Sequence, residues 1–173
     1  MVREPTVGDV TGDGAVDVWR TFYERSFPEV TQYAMRLTGG RTAAAEDLVH
    51  DGYLAMMRAW HRGAVDGLET GWLMVTVRNV FLNGLRHDRR EGRRLRLVHD
   101  SPTVQSEPSM VELDELLRTV SDRQRAALVL RYVDDLPVAE VAECLGLTVH
   151  ATESLLARAR GELRRQQGGA QHG

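Results

Sequence analysis

The sequence predicts an all-α protein made of two small helical domains joined by a flexible linker. Apolar residues recur at three- and four-residue spacing through most of the chain, and no segment shows convincing strand alternation. Near the C-terminal end, two short helical patterns are separated by Gly146. The 173 residues are 42% hydrophobic and 27% charged, a composition typical of a globular protein.

The first predicted domain, residues 19–90, follows a flexible tail at residues 1–18 and contains three helices. The helices are expected at about Val16–Leu37, Thr42–His61 and Thr70–Arg90, with a turn at Gly39 and Gly40 and a loop over residues 62–69. Its third helix is predicted to supply a set of apolar core residues: Trp72, Leu73, Val75, Val80, Phe81 and Leu85.

Helical periodicity fails after this domain, which predicts a linker over residues 91–111. Proline, serine and a run of arginines replace the apolar pattern there. A second domain of four short helices is predicted at residues 112–166, followed by a tail at 167–173. Ser109 and Ser121 each precede a Glu or Gln by three residues, the spacing of a capping box, and so indicate helix starts.

The last two predicted helices have the pattern of a helix-turn-helix. Gly146 can adopt the left-handed conformation that ends a helix, and Thr148 is a good N-cap for the next one. Two apolar stripes flank the turn: Val138, Val141, Ala142 and Leu145, then Thr152, Leu156, Ala159 and Leu163. Such a motif reads duplex DNA, although an ordinary helical hairpin in a bundle core has the same pattern.

The sequence favours neither a metal site nor an enzyme. Asp9 to Asp17 resemble the start of a calcium loop, but Arg20 stands where the closing carboxylate belongs. A phosphohydrolase centre at His50 and Asp51 would need further converging ligands, and none has recognisable spacing. No glycine-rich phosphate loop or nucleophile motif is present. We therefore expect no metal, no cofactor and no catalytic residue.

Cysteine content and hydropathy favour a cytoplasmic location. The single Cys144 excludes an intramolecular disulfide and is predicted to be a small buried apolar residue. No apolar run is long enough for a bilayer, and the N-terminal residues lack the apolar stretch of a signal peptide. We expect a cytoplasmic protein without membrane insertion.

Charge is distributed in local patches, and the net charge is only −3. Arginines cluster between Arg86 and Arg96 and again between Arg158 and Arg165, and the chain contains no lysine. The helix around Glu46, Asp47 and Asp51 carries an acidic group, which either is a solvated face or docks a basic partner. DNA binding would depend on the local patches or on a partner that supplies additional attraction.

Together these segments resemble an extracytoplasmic-function (ECF) sigma factor of bacterial RNA polymerase. Residues 45–60 resemble the conserved-region-two helix and residues 72–80 the helix after it, whereas 121–132 and 138–163 resemble region four. The resemblance spans about residues 19–90 and 112–165, and the order and spacing of the motifs make it specific.

The resemblance implies three contact surfaces. One binds core RNA polymerase at the β′ clamp helices and carries Asp47, Leu48, His50 and Asp51, while the β flap is a further core contact. A second reads and opens the −10 element, with the 62–69 loop capturing an unstacked base; it carries Arg62, Asp66, Trp72, Arg78, Asn79 and Arg86. The third reads the −35 element in the major groove with Thr148, His150, Ala151, Glu153, Ser154 and Arg158.

Some residues depart from the family pattern. Glu153 and Leu155 replace positions that are often basic, which predicts a distinct −35 preference, and Pro137 stands where a capping Ser or Thr is usual. The implied partners are core polymerase, promoter DNA and an anti-sigma factor. Alternatives from the residues alone are a helix-turn-helix regulator that acts on duplex DNA without polymerase, and a helical adaptor that docks through the acidic helix.

Overall fold

The computed structural model describes residues 13–65, 67–90 and 110–169, and all regular structure in these ranges is helical. Its elements are α1 (Asp13–Thr38), α2 (Thr42–His61), α3 (Thr70–Arg90), α4 (Met110–Arg118), α5 (Asp122–Leu128), α6 (Val138–Leu145) and α7 (Val149–Gly169). A π-helical turn, Val129–Val133, continues α5. The predicted all-α class is confirmed.

The helices form two compact units. The first contains α1 up to Ala34 together with residues 42–81, and the second contains residues 35–41 together with the chain from Leu82 onward. The second unit thus combines the end of α1, the turn after it and the end of α3 with the four C-terminal helices.

Aromatic side chains of α1 and α2 form much of the core of the first unit. Trp19 stacks on Trp60 with ring centroids 6.1 Å apart, and Phe22 packs edge-on to Tyr53. The Ser26 hydroxyl donates to the Phe22 carbonyl at 2.7 Å and lies 2.7 Å from the Tyr53 hydroxyl. Because the single Ser26 hydrogen is used on that carbonyl, Tyr53 donates to Ser26 Oγ. Both hydroxyls are therefore satisfied in the interior.

The second unit contains the expected helix-turn-helix. Gly146 ends α6 in the left-handed conformation (φ 61°), and its N–H bonds to α6 carbonyls. Thr148 Oγ1 accepts a hydrogen bond from the Ala151 N–H at 3.2 Å and so caps α7. Pro137 stands at the N-cap of α6 without a side-chain bond. The predicted capping box at Ser121 is also present, with Gln124 as its reciprocal partner.

Several expectations at residue level are corrected. Val75 was predicted in the core but is exposed, because the buried stripe of α3 runs through Leu73, Val77 and Leu82. The helix predicted to start at Ser121 changes to π-helical geometry after Leu128. Cys144 is only partly buried. The predicted linker at 91–111 and the predicted tails at 1–18 and 167–173 are too long, because α4 begins at Met110, α1 at Asp13 and α7 ends at Gly169. The predicted cap at Ser109 and the rest of the linker and tails lie outside the described residues.

Candidate functional site

Helix α2 presents an acidic outer face and buries the opposite face. Glu46, Asp47, His50 and Asp51 are all exposed. Leu48 is 6% exposed and packs in the core with Val49. Of the four residues predicted to bind polymerase, three therefore share the surface of α2, while Leu48 supports that surface from inside.

The described residues of the predicted −10 surface lie on α3 and on the loop before it. Trp72, Asn79 and Arg86 follow one another at seven-residue intervals, so they lie along one stripe of α3. Trp72 is half-buried, whereas Asn79 and Arg86 are exposed. Arg62 is exposed at the start of the loop, and Asp66 lies outside the described residues. Arg78 is partly buried, on a different face of α3 from Asn79.

Arg86 has protein partners that the sequence did not suggest. Its guanidinium donates to Asn83 Oδ1 at 3.0 Å and to the Cys144 carbonyl, at the end of α6, at 2.6 Å. Arg123 approaches the neighbouring Leu145 carbonyl at 3.4 Å. Two cations therefore lie at the C-terminus of α6, where unpaired carbonyls and the helix dipole favour positive charge.

The N-terminal half of α7 presents most of the predicted −35 residues to solvent. Thr148, His150, Glu153 and Arg158 are exposed, while Ala151 and Ser154 are half-buried. Arg158 Nε donates to the Ser154 carbonyl at 3.3 Å, which holds this arginine against its own helix. Thr148 is occupied as the helix cap through its hydroxyl oxygen. The exposed set has the composition of a surface that contacts phosphates and base edges.

Leu155 corrects one expectation about DNA specificity. It is 8% exposed and belongs to the same buried stripe as Leu156 and Ala159. A leucine there supports packing and does not present a side chain to a DNA groove. Glu153 stays exposed, so of the two departures it is the one still available to contact DNA.

Tyr132 and Arg160 form an exposed pair beside α7 that no sequence pattern predicts. Tyr132 is 52% exposed, and its hydroxyl accepts a hydrogen bond from Arg160 Nη1 at 3.0 Å. Arg131 lies over the same ring, 5.7 Å from the centroid. The two bonded residues are 28 positions apart, so no local spacing could have paired them.

No grouping of three or more His, Cys, Asp or Glu side chains suitable for a metal ion occurs in the described part of the chain. Within those same ranges, no helix is long and apolar enough to cross a membrane.

Family models match both halves of the chain. Sigma-70 region 2 matches residues 22–91, and Sigma-70 region 4 matches residues 110–163. The chain is 29% identical to the RNA polymerase sigma factor YlaC of Bacillus subtilis, over 88% of this chain and 91% of that protein. It is also 29% identical to the ECF RNA polymerase sigma factor SigE of Mycolicibacterium smegmatis, over 93% of this chain and 67% of that protein.

A third relative, the ECF RNA polymerase sigma factor BldN of Streptomyces coelicolor, is 27% identical over 84% of this chain and 59% of its own length. Among solved structures, the sigma factor RpoE of Bartonella quintana, crystallised with the anti-sigma factor NepR, matches with a TM-score of 0.52 and 23% identity. That match covers 85% of this chain and 94% of the solved one and supports the fold.

With both regions present in order and ECF sigma factors among its relatives, the chain belongs to the ECF group of sigma-70 factors, which direct RNA polymerase to promoters.

Proposed function

We propose that this sigma factor divides its contacts among three surfaces. The acidic face of α2, with Asp47, His50 and Asp51, binds the β′ clamp helices of core RNA polymerase. The loop after α2 and the exposed stripe of α3 engage the −10 element. The exposed face of α7 reads the −35 element, and the C-terminal helices also contact the β flap.

The observation that supports this proposal most directly is the opposite charge of two solvent-facing helices. Asp47 and Asp51 are exposed on α2, whereas Arg158, Arg160, Arg164 and Arg165 are exposed on α7. An anionic face repels DNA and suits a basic partner surface, whereas a cationic face attracts phosphates. The chain supplies one of each, on separate helices.

Polymerase is required in this proposal for an electrostatic reason. The net charge of −3 gives the free chain no overall attraction to DNA, which limits its binding to what the local arginine patches supply. A polymerase that holds both regions and adds its own DNA contacts removes this limit. The function needs no catalytic residue or cofactor in this chain, and it places the protein in the cytoplasm, where the polymerase works.

An anti-sigma factor is a further proposed partner. The solved RpoE structure contains its anti-sigma factor NepR, and this chain has the same fold. A protein of that class would compete with polymerase by covering one or more of the three surfaces.

The decisive experiment is reconstitution with core polymerase. The purified chain is added to core enzyme on a library of promoter fragments, and the 5′ ends of the transcripts are sequenced. We expect initiation well above that of core alone, at sites that share a −10 and a −35 sequence. Initiation no higher than that of core alone would contradict the proposal. Tight, specific binding of the free chain to a promoter duplex would favour a polymerase-independent regulator.

A further inference from the structure

A π-helical turn in the second unit brings Tyr132 to the surface. In an unbroken α-helix, Tyr132 would continue the stripe formed by the residues three, four and seven positions earlier. Those residues are all buried: Arg125, Leu128 and Val129. The chain instead makes a wider turn, in which the Asp134 N–H donates to the Val129 carbonyl at 3.0 Å. Tyr132 therefore leaves the buried stripe and is 52% exposed.

Two arginines hold the exposed ring in place. Arg160 Nη1, on α7, donates to the Tyr132 hydroxyl at 3.0 Å. Arg131 lies over the face of the ring, 5.7 Å from its centroid. Arg131 is itself fixed by bonds from Nη1 to Asp135 Oδ1 at 3.2 Å and to the Leu136 carbonyl at 3.3 Å. The tyrosine is therefore positioned through both its ring and its hydroxyl, while half of the residue stays open to solvent.

The bond from Arg160 leaves the Tyr132 hydroxyl with its own hydrogen available. A phenol can donate one hydrogen bond and accept others, whereas a guanidinium can only donate. The hydroxyl oxygen is therefore the acceptor in this contact, and its O–H can donate to a further group. The neighbouring cation polarises that O–H and makes it a stronger donor. Tyr132 and Arg160 together thus offer an O–H and several N–H donors to one anionic group.

The pair lies on the stripe of α7 that carries Glu153. Arg160 follows Glu153 by seven residues, so the two exposed side chains lie on one face, about 10 Å apart along the helix axis. In a helix-turn-helix, the N-terminal residues of the second helix meet the base edges. A duplex read by that part of α7 would carry its backbone past Tyr132 and Arg160, and the anion of that backbone is phosphate.

We propose that Tyr132 and Arg160 form one phosphate-binding site beside the −35 face of α7, in which Tyr132 positions the arginine. This inference rests on the proposed function and extends the −35 interface to a residue outside the helix-turn-helix. A free arginine side chain loses conformational entropy when it orders on a phosphate. The Tyr132 hydroxyl fixes the guanidinium before DNA arrives, which reduces that cost and adds a neutral donor.

Promoter binding by the holoenzyme tests this site. Core polymerase is combined with the full-length wild type, Tyr132→Phe, Arg160→Ala or the double variant. Filter binding at a series of salt concentrations measures the affinity for a fragment on which the wild-type holoenzyme initiates. Tyr132→Phe keeps the ring beside Arg131 and removes only the hydroxyl. The matched controls are Tyr23→Phe and Arg20→Ala, which remove the same groups from exposed positions of α1.

A second set of fragments identifies the phosphate. Each fragment carries one uncharged methylphosphonate at a different backbone position in and around the −35 element. At one position, we expect the methylphosphonate to weaken binding by the wild type and to have no effect on Arg160→Ala, which has already lost that contact.

We expect Arg160→Ala to weaken promoter binding about tenfold and to reduce the slope of log affinity against log salt by about 1. Tyr132→Phe should weaken binding about threefold, as for the loss of one hydrogen bond. The double variant should bind within about twofold of Arg160→Ala, because the hydroxyl acts together with the arginine. Both α1 controls should bind as the wild type does.

Three results would overturn this inference alone: wild-type affinity in Arg160→Ala or in Tyr132→Phe, losses that multiply in the double variant, or a methylphosphonate profile of Arg160→Ala that matches the wild type at every position. Failure of the wild-type holoenzyme to initiate on any promoter fragment would instead overturn the proposed function.

Discussion

Helices α2 and α7 bury similar stripes but present opposite charges to solvent. Leu48, Met56 and Trp60 face the interior from α2, as Leu155, Leu156 and Ala159 do from α7. The outer face of α2 is acidic and that of α7 is mainly basic. Burial determines how each helix packs, while the exposed residues determine which partner it can bind. Substitutions on the inner and outer faces should therefore have separable effects.

The largest effect is expected on the inner face of α7. Leu155→Ala should lower the free energy of unfolding by about 2–4 kcal/mol, because it leaves a cavity in the core. Urea denaturation measures the change. Val149→Ala, at an exposed position of the same helix, is the control and should change stability by less than about 0.5 kcal/mol. A Leu155→Ala protein of normal stability with an altered promoter preference would place Leu155 at the DNA instead.

On the outer face of α2, reversal of charge should affect binding and not folding. Asp47→Arg combined with Asp51→Arg should weaken core polymerase binding about tenfold to a hundredfold, because two attractive contacts become repulsive. Fluorescence anisotropy with labelled protein measures the affinity. Glu24→Arg with Glu29→Arg makes the same charge change on exposed positions of α1 and should leave the affinity near that of the wild type. If both variants lost the same affinity, the change in net charge, and not the loss of contacts at Asp47 and Asp51, would explain the effect.

The outer face of α7 is tested through its salt dependence. Arg158→Ala should weaken promoter binding by the holoenzyme and reduce the slope of log affinity against log salt by about 1, as expected for a lost phosphate contact. Filter binding at a series of salt concentrations gives the slope. The control is Arg20→Ala on α1, also an exposed arginine. An unchanged slope for Arg158→Ala would show that Arg158 makes no phosphate contact.

The features that could be predicted from the sequence are those that depend on residues close to one another in the chain. The limits of α2 and α3, the Gly146 turn and the caps at Ser121 and Thr148 depend on residues close in sequence, and each is confirmed. The burial of Leu155 was missed because a resemblance to a family compares positions, not solvent exposure. In α3, Val75 was placed in the core because apolar character alone does not tell which face of a helix is covered.

Contacts between distant residues could not be predicted. Arg36 and Asp114 are 78 positions apart, and Arg86 and Cys144 are 58 apart. An arginine in a sequence with 22 basic residues looks like a surface or DNA-contact residue, and nothing local marks the buried Arg125 as different. Besides Asp122, three residues earlier, its partners are the backbone carbonyls of Leu117 and Val120, whose positions depend on how the chain folds between α4 and α5.

The smallest expected effect concerns the inner face of α2, at Tyr53. Burial raises the pKa of Tyr53, and charge repulsion from Tyr23 acts in the same direction. Above the ordinary pKa of about 10, the unfolded chain releases this proton while the folded protein retains it, so stability falls as pH rises from there towards the folded pKa. Tyr53→Phe should cost about 1 kcal/mol at neutral pH, because Ser26 loses a donor, and should flatten this alkaline loss.

Thermal unfolding between pH 8 and 11 measures the effect of Tyr53→Phe. Tyr132→Phe is the control, since it removes an exposed hydroxyl beside α7 and leaves the Tyr53 hydroxyl in place. Tyr132→Phe should lose stability at alkaline pH as the wild type does. If Tyr53→Phe retained that loss as well, the proton released on alkaline unfolding would come from another group. Tyr53 is buried on the inner face of α2, so Tyr53→Phe should leave the affinity for core polymerase unchanged. The inner face of α2 would then affect stability alone, and its outer face would affect binding.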